Sequence, residues 1–184
     1  MHHYIAFLRG ISLGRRRPEM AKLRALFESL KFAEVASFIA SGNLIFACKT
    51  ADSRKLEKQI EEHLKKSLGY DVDTFVRTRA EVAAMAAFRP FPKSDLVNPG
   101  HTVQAGFLQE ALSAGQDRKL LACRTDADDF YVAGREFYWL CRIKSNESKV
   151  WSSPQMKAVK LPSFSMRNLT TVRKLAALYP VVAA

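Results

Sequence analysis

The stretch of sequence that decides the fold is residues 35–48, VASFIASGNLIFAC. Two apolar runs, residues 35–40 and 43–48, flank Ser41-Gly42-Asn43. Gly42 and Asn43 both tolerate the positive φ of a tight turn, so we predict a β-hairpin. Apolar residues occupy both faces of each run, which is typical of a sheet that is covered on both sides.

The segments around this hairpin complete a recognisable order of elements. Residues 3–9 form a short aromatic and β-branched run that predicts a strand, and apolar residues at three- and four-residue spacing predict a helix over about 19–31. After the hairpin, Asp52 or Ser53 can cap a second helix that stops at Gly69, and residues 71–77 predict a fourth strand. Thr78 and Glu81 match a capping box for a third helix. The first part of the chain is therefore predicted to be β-α-β-β-α-β, a ferredoxin-like unit.

A second unit with the same order is predicted after the proline-containing residues 89–92. Strands are expected at 101–108, 130–133, 136–142 and 164–166, and helices at 112–123 and 149–160. A terminal helix follows, with Asn168 as its N-cap. The predicted fold class is α+β: two ferredoxin-like (alpha-beta plait) halves, residues 1–90 and 98–184, with an extra C-terminal helix. No residue-level similarity between the halves is evident, so only the architecture repeats.

The net charge of +11 is unevenly distributed along the chain. Residues 1–24 carry six Lys/Arg against one acidic residue, and residues 142–184 carry eight against one. The intervening 117 residues carry 15 basic and 16 acidic side chains. If the two basic ends meet in the fold, they would attract phosphates, nucleic acid or another anionic surface; otherwise they are a solvated basic surface.

Cysteine usage and hydropathy favour a reduced compartment. Cys48, Cys123 and Cys141 are far apart without a C-x-x-C spacing, so we expect three buried thiols. No secretory leader and no apolar run of about 20 residues is evident, and we therefore expect a cytoplasmic protein with no membrane partner. We predict no metal at the His2-His3 pair, and no cofactor or catalytic residue elsewhere.

Several short motifs indicate a family. They are Tyr4-Ile5-Ala6-Phe7-Leu8-Arg9-Gly10-Ile11 with Gly14, Met20 with Leu23 to Phe27, Ser41-Gly42-Asn43 with Phe46, Ser148-Lys149, and Arg167-Asn168 with Thr171, Lys174 and Leu175. Together they resemble the uncharacterised domain-of-unknown-function family 1697 over nearly the whole chain. The resemblance implies a pair of ferredoxin-like halves and no established activity. Ser12 and Leu169 depart from it, because the family pattern has Asn and Trp there.

The loop after the first strand is the sharpest candidate site. Gly10-Ile11-Ser12-Leu13-Gly14 matches a G-x-S-x-G nucleophile elbow, but an elbow needs preceding strands and later acid and histidine partners, so we reject this interpretation. We interpret this loop as an anion cradle, in which the two glycines let backbone N–H groups approach a phosphate. The following helix N-terminus and the adjacent arginines then add positive charge.

The predicted function is therefore binding of a phosphate-bearing anion at a basic cleft, with nucleic acid first and a nucleotide or other small molecule second. An enzyme acting on an anionic small molecule and a protein-interaction scaffold remain alternatives, and the protein is either a monomer or a dimer. Structural interpretations compete at two places, since Ser41-Gly42-Asn43 is explained by a turn and Asn168 by a helix cap. The predicted ligand-binding residues are Arg9, Gly10, Ser12, Gly14, Arg15, Arg16, Ser41, Gly42, Asn43, Lys149, Arg167, Asn168 and Lys174.

Two other clusters are predicted to be structural. The aromatic residues of the second hairpin lack the submotif of RNA-binding ferredoxin-like domains, so most are expected in the core. Asp126, Asp128 and Asp129 lack the regular ligand set of a calcium loop and are expected in a solvated turn.

Overall fold

A computed structural model describes residues 1–11 and 17–183. Ser12, Gly14, Arg15 and Arg16 of the predicted cradle lie outside these residues. The elements, in chain order, are β1 (His2–Leu8), α1 (Met20–Ser29), β2 (Ala33–Ser37), β3 (Asn43–Cys48), α2 (Ser53–Leu68), β4 (Thr74–Thr78), α3 (Arg79–Ala87), α4 (Lys93–Leu96), β5 (Thr102–Phe107), α5 (Ala114–Leu121), β6 (Asp128–Ala133), β7 (Glu136–Cys141), a 3₁₀ turn (Val150–Ser152), α6 (Pro154–Val159), β8 (Ser165–Asn168) and α7 (Leu169–Leu178).

The chain divides into two compact units. The first comprises Met1–Met85 with Lys174–Ala184, and the second comprises Ala86–Arg173. In the first, the strands form an antiparallel sheet in the order β2-β3-β1-β4, with Ile5 of the central strand opposite Ile45 and Arg77. Apolar side chains of α1 and α2, including Leu23, Phe27 and Ile60, pack with this sheet in one core cluster. This is the sheet order of a ferredoxin-like unit.

The second unit repeats the arrangement with the strand order β6-β7-β5-β8, all antiparallel. Its core contains Leu120 of α5 and Met156 of α6 packed with Phe137 and Trp139 of β7. The predicted fold class, two ferredoxin-like halves in an α+β protein, is confirmed. The domain limits 1–90 and 98–184 stay a prediction.

Both faces of β1 are buried, as its composition predicts. Tyr4 and Leu8 on one face and Ile5 and Phe7 on the other are at most 2% exposed. Such burial explains why the strand lacks the apolar–polar alternation of a half-solvated sheet.

Local capping signals in the sequence are confirmed. The Asp52 carboxylate accepts hydrogen bonds from the amides of Arg54 and Lys55 at the start of α2, and Gly69 ends that helix with φ +83°. At α3, the Thr78 amide donates to Glu81 and the Glu81 amide to Thr78 Oγ1. These caps satisfy amides and carbonyls that the helices leave unpaired, so the helices begin and end where the sequence predicts.

The first hairpin differs from the prediction in its turn. β2 ends at Ser37 rather than residue 40, so residues 38–42 form a wider connection. Positive φ occurs at Ile39 and Gly42, not at Asn43. The cause is the Asn43 side chain, which donates to the Phe38 carbonyl and to Ser41 Oγ and thereby holds the wider loop closed.

The predicted helix over 149–160 is two shorter elements. Ser153 is extended, with φ −68° and ψ 150°, and its hydroxyl accepts a hydrogen bond from the Met156 amide. A residue that precedes proline avoids the helical region, and Pro154 is well suited to the first position of a new helix. The chain therefore leaves the 3₁₀ turn before Pro154 and restarts as α6.

Candidate functional site

The end of β1 carries the first predicted ligand-binding residues. The Leu8 amide donates to the Gly42 carbonyl and the Arg9 amide to the Asp73 carbonyl, each at 2.9 Å. Arg9 is exposed, and Gly10 turns the chain away from the sheet with φ +73°. The structure thus brings Arg9 and Gly10 beside the 38–42 connection.

That connection is held tightly against the end of β1. A Cβ on Gly42 would lie 3.1 Å from Ile11 Cγ2 and 3.2 Å from Leu8 Cβ, and the backbone φ there is +76°. Asn43 is fully buried, and its amide nitrogen donates within the loop. Glycine and asparagine are therefore explained at these two positions by the turn itself.

A cleft opens between this connection and the start of α1. It is lined by Ile11, Arg17, Pro18, Glu19, Met20, Leu23 and Ala40. Glu19 is the N-cap of α1, yet its side chain makes no capping hydrogen bond, and the first turn of the helix contains no acidic residue. Arg17 and the helix N-terminus contribute positive potential, whereas Glu19 opposes it.

The remaining predicted residues are spread over both units. Lys174 is exposed in the part of α7 that belongs to the first unit. In the second unit, Lys149 is exposed before the 3₁₀ turn, and Asn168 Oδ1 accepts a hydrogen bond from the Thr170 amide at 2.9 Å, which confirms the helix cap.

Arg167 lies on β8 opposite Ala105. Its Nη1 donates to Ser165 Oγ at 2.6 Å and to the Met166 carbonyl at 2.9 Å. Burial lowers the pKa of Arg167 to about 10, well below the usual guanidinium value. This arginine has structural hydrogen bonds in the sheet, unlike the exposed Lys149.

One acidic residue behaves differently from the sequence prediction. Asp128 is 3% exposed, and its Oδ1 accepts hydrogen bonds from Trp139 Nε1 at 2.8 Å and from Ser148 Oγ at 2.7 Å. Its Oδ2 accepts another from Thr125 Oγ1 at 2.7 Å. The buried Asp128 carboxylate therefore links three side chains of the second unit. The prediction that Asp128 lies in a solvated turn was wrong.

A polar cluster at α4 was not singled out from the sequence. Asp95 binds the Arg142 guanidinium through two hydrogen bonds of 3.0 and 3.1 Å, and His101 Nδ1 lies 3.3 Å from Asp95 Oδ1. The hydrogen bonds from Arg142 lower the pKa of Asp95. The pairing signal is invisible in sequence because the partners come from different elements.

Within residues 1–11 and 17–183, no group of three or more His, Cys, Asp or Glu side chains could hold a metal ion. None of the described helices has the length and apolar character needed to cross a bilayer. The three cysteines are buried thiols, as expected.

Comparison with known proteins agrees with the fold. A conserved bacterial protein from Streptococcus pneumoniae has a similar solved structure, with a TM-score of 0.73 and 19% sequence identity over 97% of this chain and 98% of that one. No curated protein matches the chain. The model of a family described as "Protein of unknown function (DUF1697)" matches residues 1–138. The chain therefore belongs to the DUF1697 family.

Proposed function

We propose that this protein binds a phosphate-bearing anion, with nucleic acid as the first ligand, through the segment between β1 and α1. The observation that carries the proposal is the local charge: residues 1–24 contain six Lys/Arg and one acid. Arg9 and Arg17 border the segment on its two sides, and both are exposed. Arginine and lysine side chains close together in the chain supply the positive charge that phosphate backbones attract.

The surroundings of the segment support binding rather than catalysis. Gly10 has a left-handed backbone, and the neighbouring 38–42 connection is fixed to β1 by the hydrogen bond from Leu8 to Gly42. Glu19 and Met20 at the start of α1 line the same cleft, and the Glu19 side chain makes no capping hydrogen bond there. Backbone amides and arginine side chains are donors that suit an anion, and glycines let the anion approach the amides.

The exposed cations of the C-terminal segment extend the proposal. Residues 142–184 carry eight Lys/Arg against one acid, among them the exposed Lys149 and Lys174. We assign them an electrostatic role in attracting the ligand, since a mobile lysine on a surface contributes charge rather than geometry. Removing one of these lysines should therefore weaken binding less than removing arginines of the loop.

The test is fluorescence anisotropy of labelled single-stranded and duplex oligonucleotides over a salt series. The slope of log affinity against log salt counts phosphate contacts, at about 0.7 to 0.9 per contact. Arg15→Ala combined with Arg16→Ala should reduce the slope by about 1.4 to 1.8 and weaken binding at low salt. The free energy of unfolding should change by less than about 0.5 kcal/mol, because arginine side chains are mostly exposed in folded proteins and substitutions at exposed positions have small effects.

A matched control removes the same charge elsewhere. Lys58 and Lys66 are exposed on α2, in the electrically balanced central part of the chain. Lys58→Ala with Lys66→Ala should leave the salt slope near that of the parent protein. If both double variants reduce the salt slope equally, binding depends on the total charge of the protein, and the segment between β1 and α1 is not the binding site. Absence of binding at low salt would exclude nucleic acid as the ligand.

A further inference from the structure

Two arginines of the second unit converge on a single backbone carbonyl. Arg89 Nη1 donates to the Ala86 carbonyl at 2.9 Å, and Arg173 Nε donates to the same oxygen at 3.4 Å. Arg89 also donates to the Phe88 carbonyl at 3.0 Å. In the part of the chain that the structure describes, neither guanidinium has a carboxylate partner. One oxygen thus holds two cations next to each other.

This arrangement has an electrostatic cost. Burial and the positive charge of Arg89 both lower the pKa of Arg173. Arg142 in the same unit shows the opposite behaviour, because its hydrogen bonds to Asp95 raise its pKa. Two like charges held together without a counter-ion are stabilised when an anion binds between them.

A small polar cleft lies on the Arg173 side of this pair. Its lining includes His101, Thr102, Asn168, Thr170 and Arg173. Thr102 Oγ1 is shielded from solvent and has no hydrogen-bond partner among the described residues. A buried hydroxyl without a partner costs free energy, which a bound acceptor would recover.

One acidic residue also lines the cleft, and its charge must be considered. Asp95 forms two hydrogen bonds with Arg142 and lies 3.3 Å from His101 Nδ1. A bidentate guanidinium largely neutralises a carboxylate. The charge left over at the cleft is therefore that of Arg173, with Arg89 beside it.

We infer that this cleft is a binding site for a small oxyanion, a phosphate or carboxylate group, held by Arg173 with the Thr102 hydroxyl as a neutral donor. Arg89 does not line the cleft, and it contributes positive charge beside Arg173 through their shared carbonyl. The planar guanidinium of Arg173 uses Nε for Ala86, and its remaining N–H groups match two oxygens of one anion. The site involves neither the β1–α1 loop nor the residues assigned there. Oxyanion binding at this site can therefore be tested independently of nucleic-acid binding.

The test is isothermal titration calorimetry of the full chain with sodium phosphate and, in a second arm, sodium acetate. Ionic strength is kept constant with chloride. We expect saturable binding of at least one of the two anions in the millimolar range or tighter, and the anion that binds identifies the group the site prefers. If neither produces saturable heat, the inference is wrong.

Variants locate the binding. Arg173→Gln should weaken the affinity by about tenfold or more, as expected for loss of a charge-assisted hydrogen bond. Arg89→Gln should weaken it several-fold, and because Arg89 is exposed its replacement leaves the core intact. The control is Arg118→Gln, which removes an equal charge from the exposed surface of α5. Unchanged affinity in Arg173→Gln and Arg89→Gln, or equal loss in Arg118→Gln, would overturn the assignment.

Discussion

Gly106 lies where the core has no room for a side chain. It lies on the central strand β5 opposite Phe137 of β7, and Phe137 is fully buried. A Cβ added at Gly106 would run into three atoms of the Phe137 ring. The corresponding position of the first unit, Ala6 opposite Leu44, carries a methyl group because its neighbour is smaller. The difference shows that the pairing across strands, not the strand conformation, requires glycine here.

Gly106→Ala is therefore expected to lower the free energy of unfolding by about 1–3 kcal/mol, since the ring must move within a filled core. Urea denaturation followed by tryptophan fluorescence measures the change. The control is Gly115→Ala on α5, where the nearest atom to an added Cβ is Ser113 Oγ at 3.9 Å. Equal stability of Gly106→Ala and the parent protein would mean that Phe137 is not rigidly packed.

For single polar residues, a helix cap could be predicted from the sequence, whereas burial through distant partners could not. Asn168 was predicted as a cap and is one, because a cap depends only on residues two or three positions away. Asp128 was predicted in a solvated turn, but Trp139 and Ser148 bring it into the core. Neither partner is adjacent to Asp128 in sequence, so its local composition gave no sign of burial.

Two turns of the first unit show what left-handed glycine contributes at the ends of elements. Gly69 ends α2 with φ +83°, and apart from its chain neighbours no atom of the described residues lies within 4 Å of an added Cβ. Gly42 has a similar φ of +76°, but there the added Cβ would contact Ile11 and Leu8. A substitution of Gly69 therefore measures only the free-energy cost of the left-handed backbone. A substitution of Gly42 measures that cost together with steric crowding against β1.

Gly69→Ala should destabilise the protein by about 1–2 kcal/mol, the cost of a left-handed alanine. Gly42→Ala should cost more, because the Cβ would also crowd Leu8 at the end of β1 and Ile11. Chemical denaturation of the two variants side by side gives the comparison. A smaller loss of stability in Gly42→Ala than in Gly69→Ala would contradict this expectation. It would show that the 38–42 connection can move to accommodate the added Cβ.

Each unit also contains hydrogen bonds that have an equivalent in the other unit, and the sequence did not predict this correspondence. The Leu8 amide donates to Gly42 and the Leu108 amide to Arg135, each at the end of a central strand. Arg77 and Arg167, which lie opposite Ile5 and Ala105, each donate Nη1 to the carbonyl of the preceding residue. The halves therefore match in detail, although so few side chains coincide that the sequence shows only a repeated order of elements.

At the level of the whole chain, the order of elements was predictable and the polar sites were not. Strands and helices followed from hydrophobic periodicity, which is a local property. The short helix α4 was missed because a four-residue element carries too little periodicity. The break before Pro154 was also missed, although a proline is itself a signal for a new helix start. Arg89 with Arg173, and Asp95 with Arg142, meet only after folding, and no spacing in the sequence indicates that they do.

The pairing of Asp95 with Arg142 makes the stability of the folded chain depend on pH. It connects α4, which follows the prolines of residues 89–92, to the end of β7. The Asp95 pKa is lowered in the folded protein, chiefly by these hydrogen bonds. Its carboxylate therefore contributes stability above the unfolded pKa of about 3.9, and that contribution is lost as the pH falls through the lower folded value.

Asp95→Asn should consequently lower the free energy of unfolding at pH 7, by on the order of 1 kcal/mol, and have a smaller effect at pH 3. Urea denaturation at several pH values gives the difference between parent and variant directly. Asp71→Asn is the matched control, since Asp71 pairs with Lys65 on the surface where both side chains are more than 60% exposed. A constant difference for Asp95→Asn between pH 7 and pH 3 would contradict the argument, because it would mean that the aspartate stabilises the fold through its shape and not its charge.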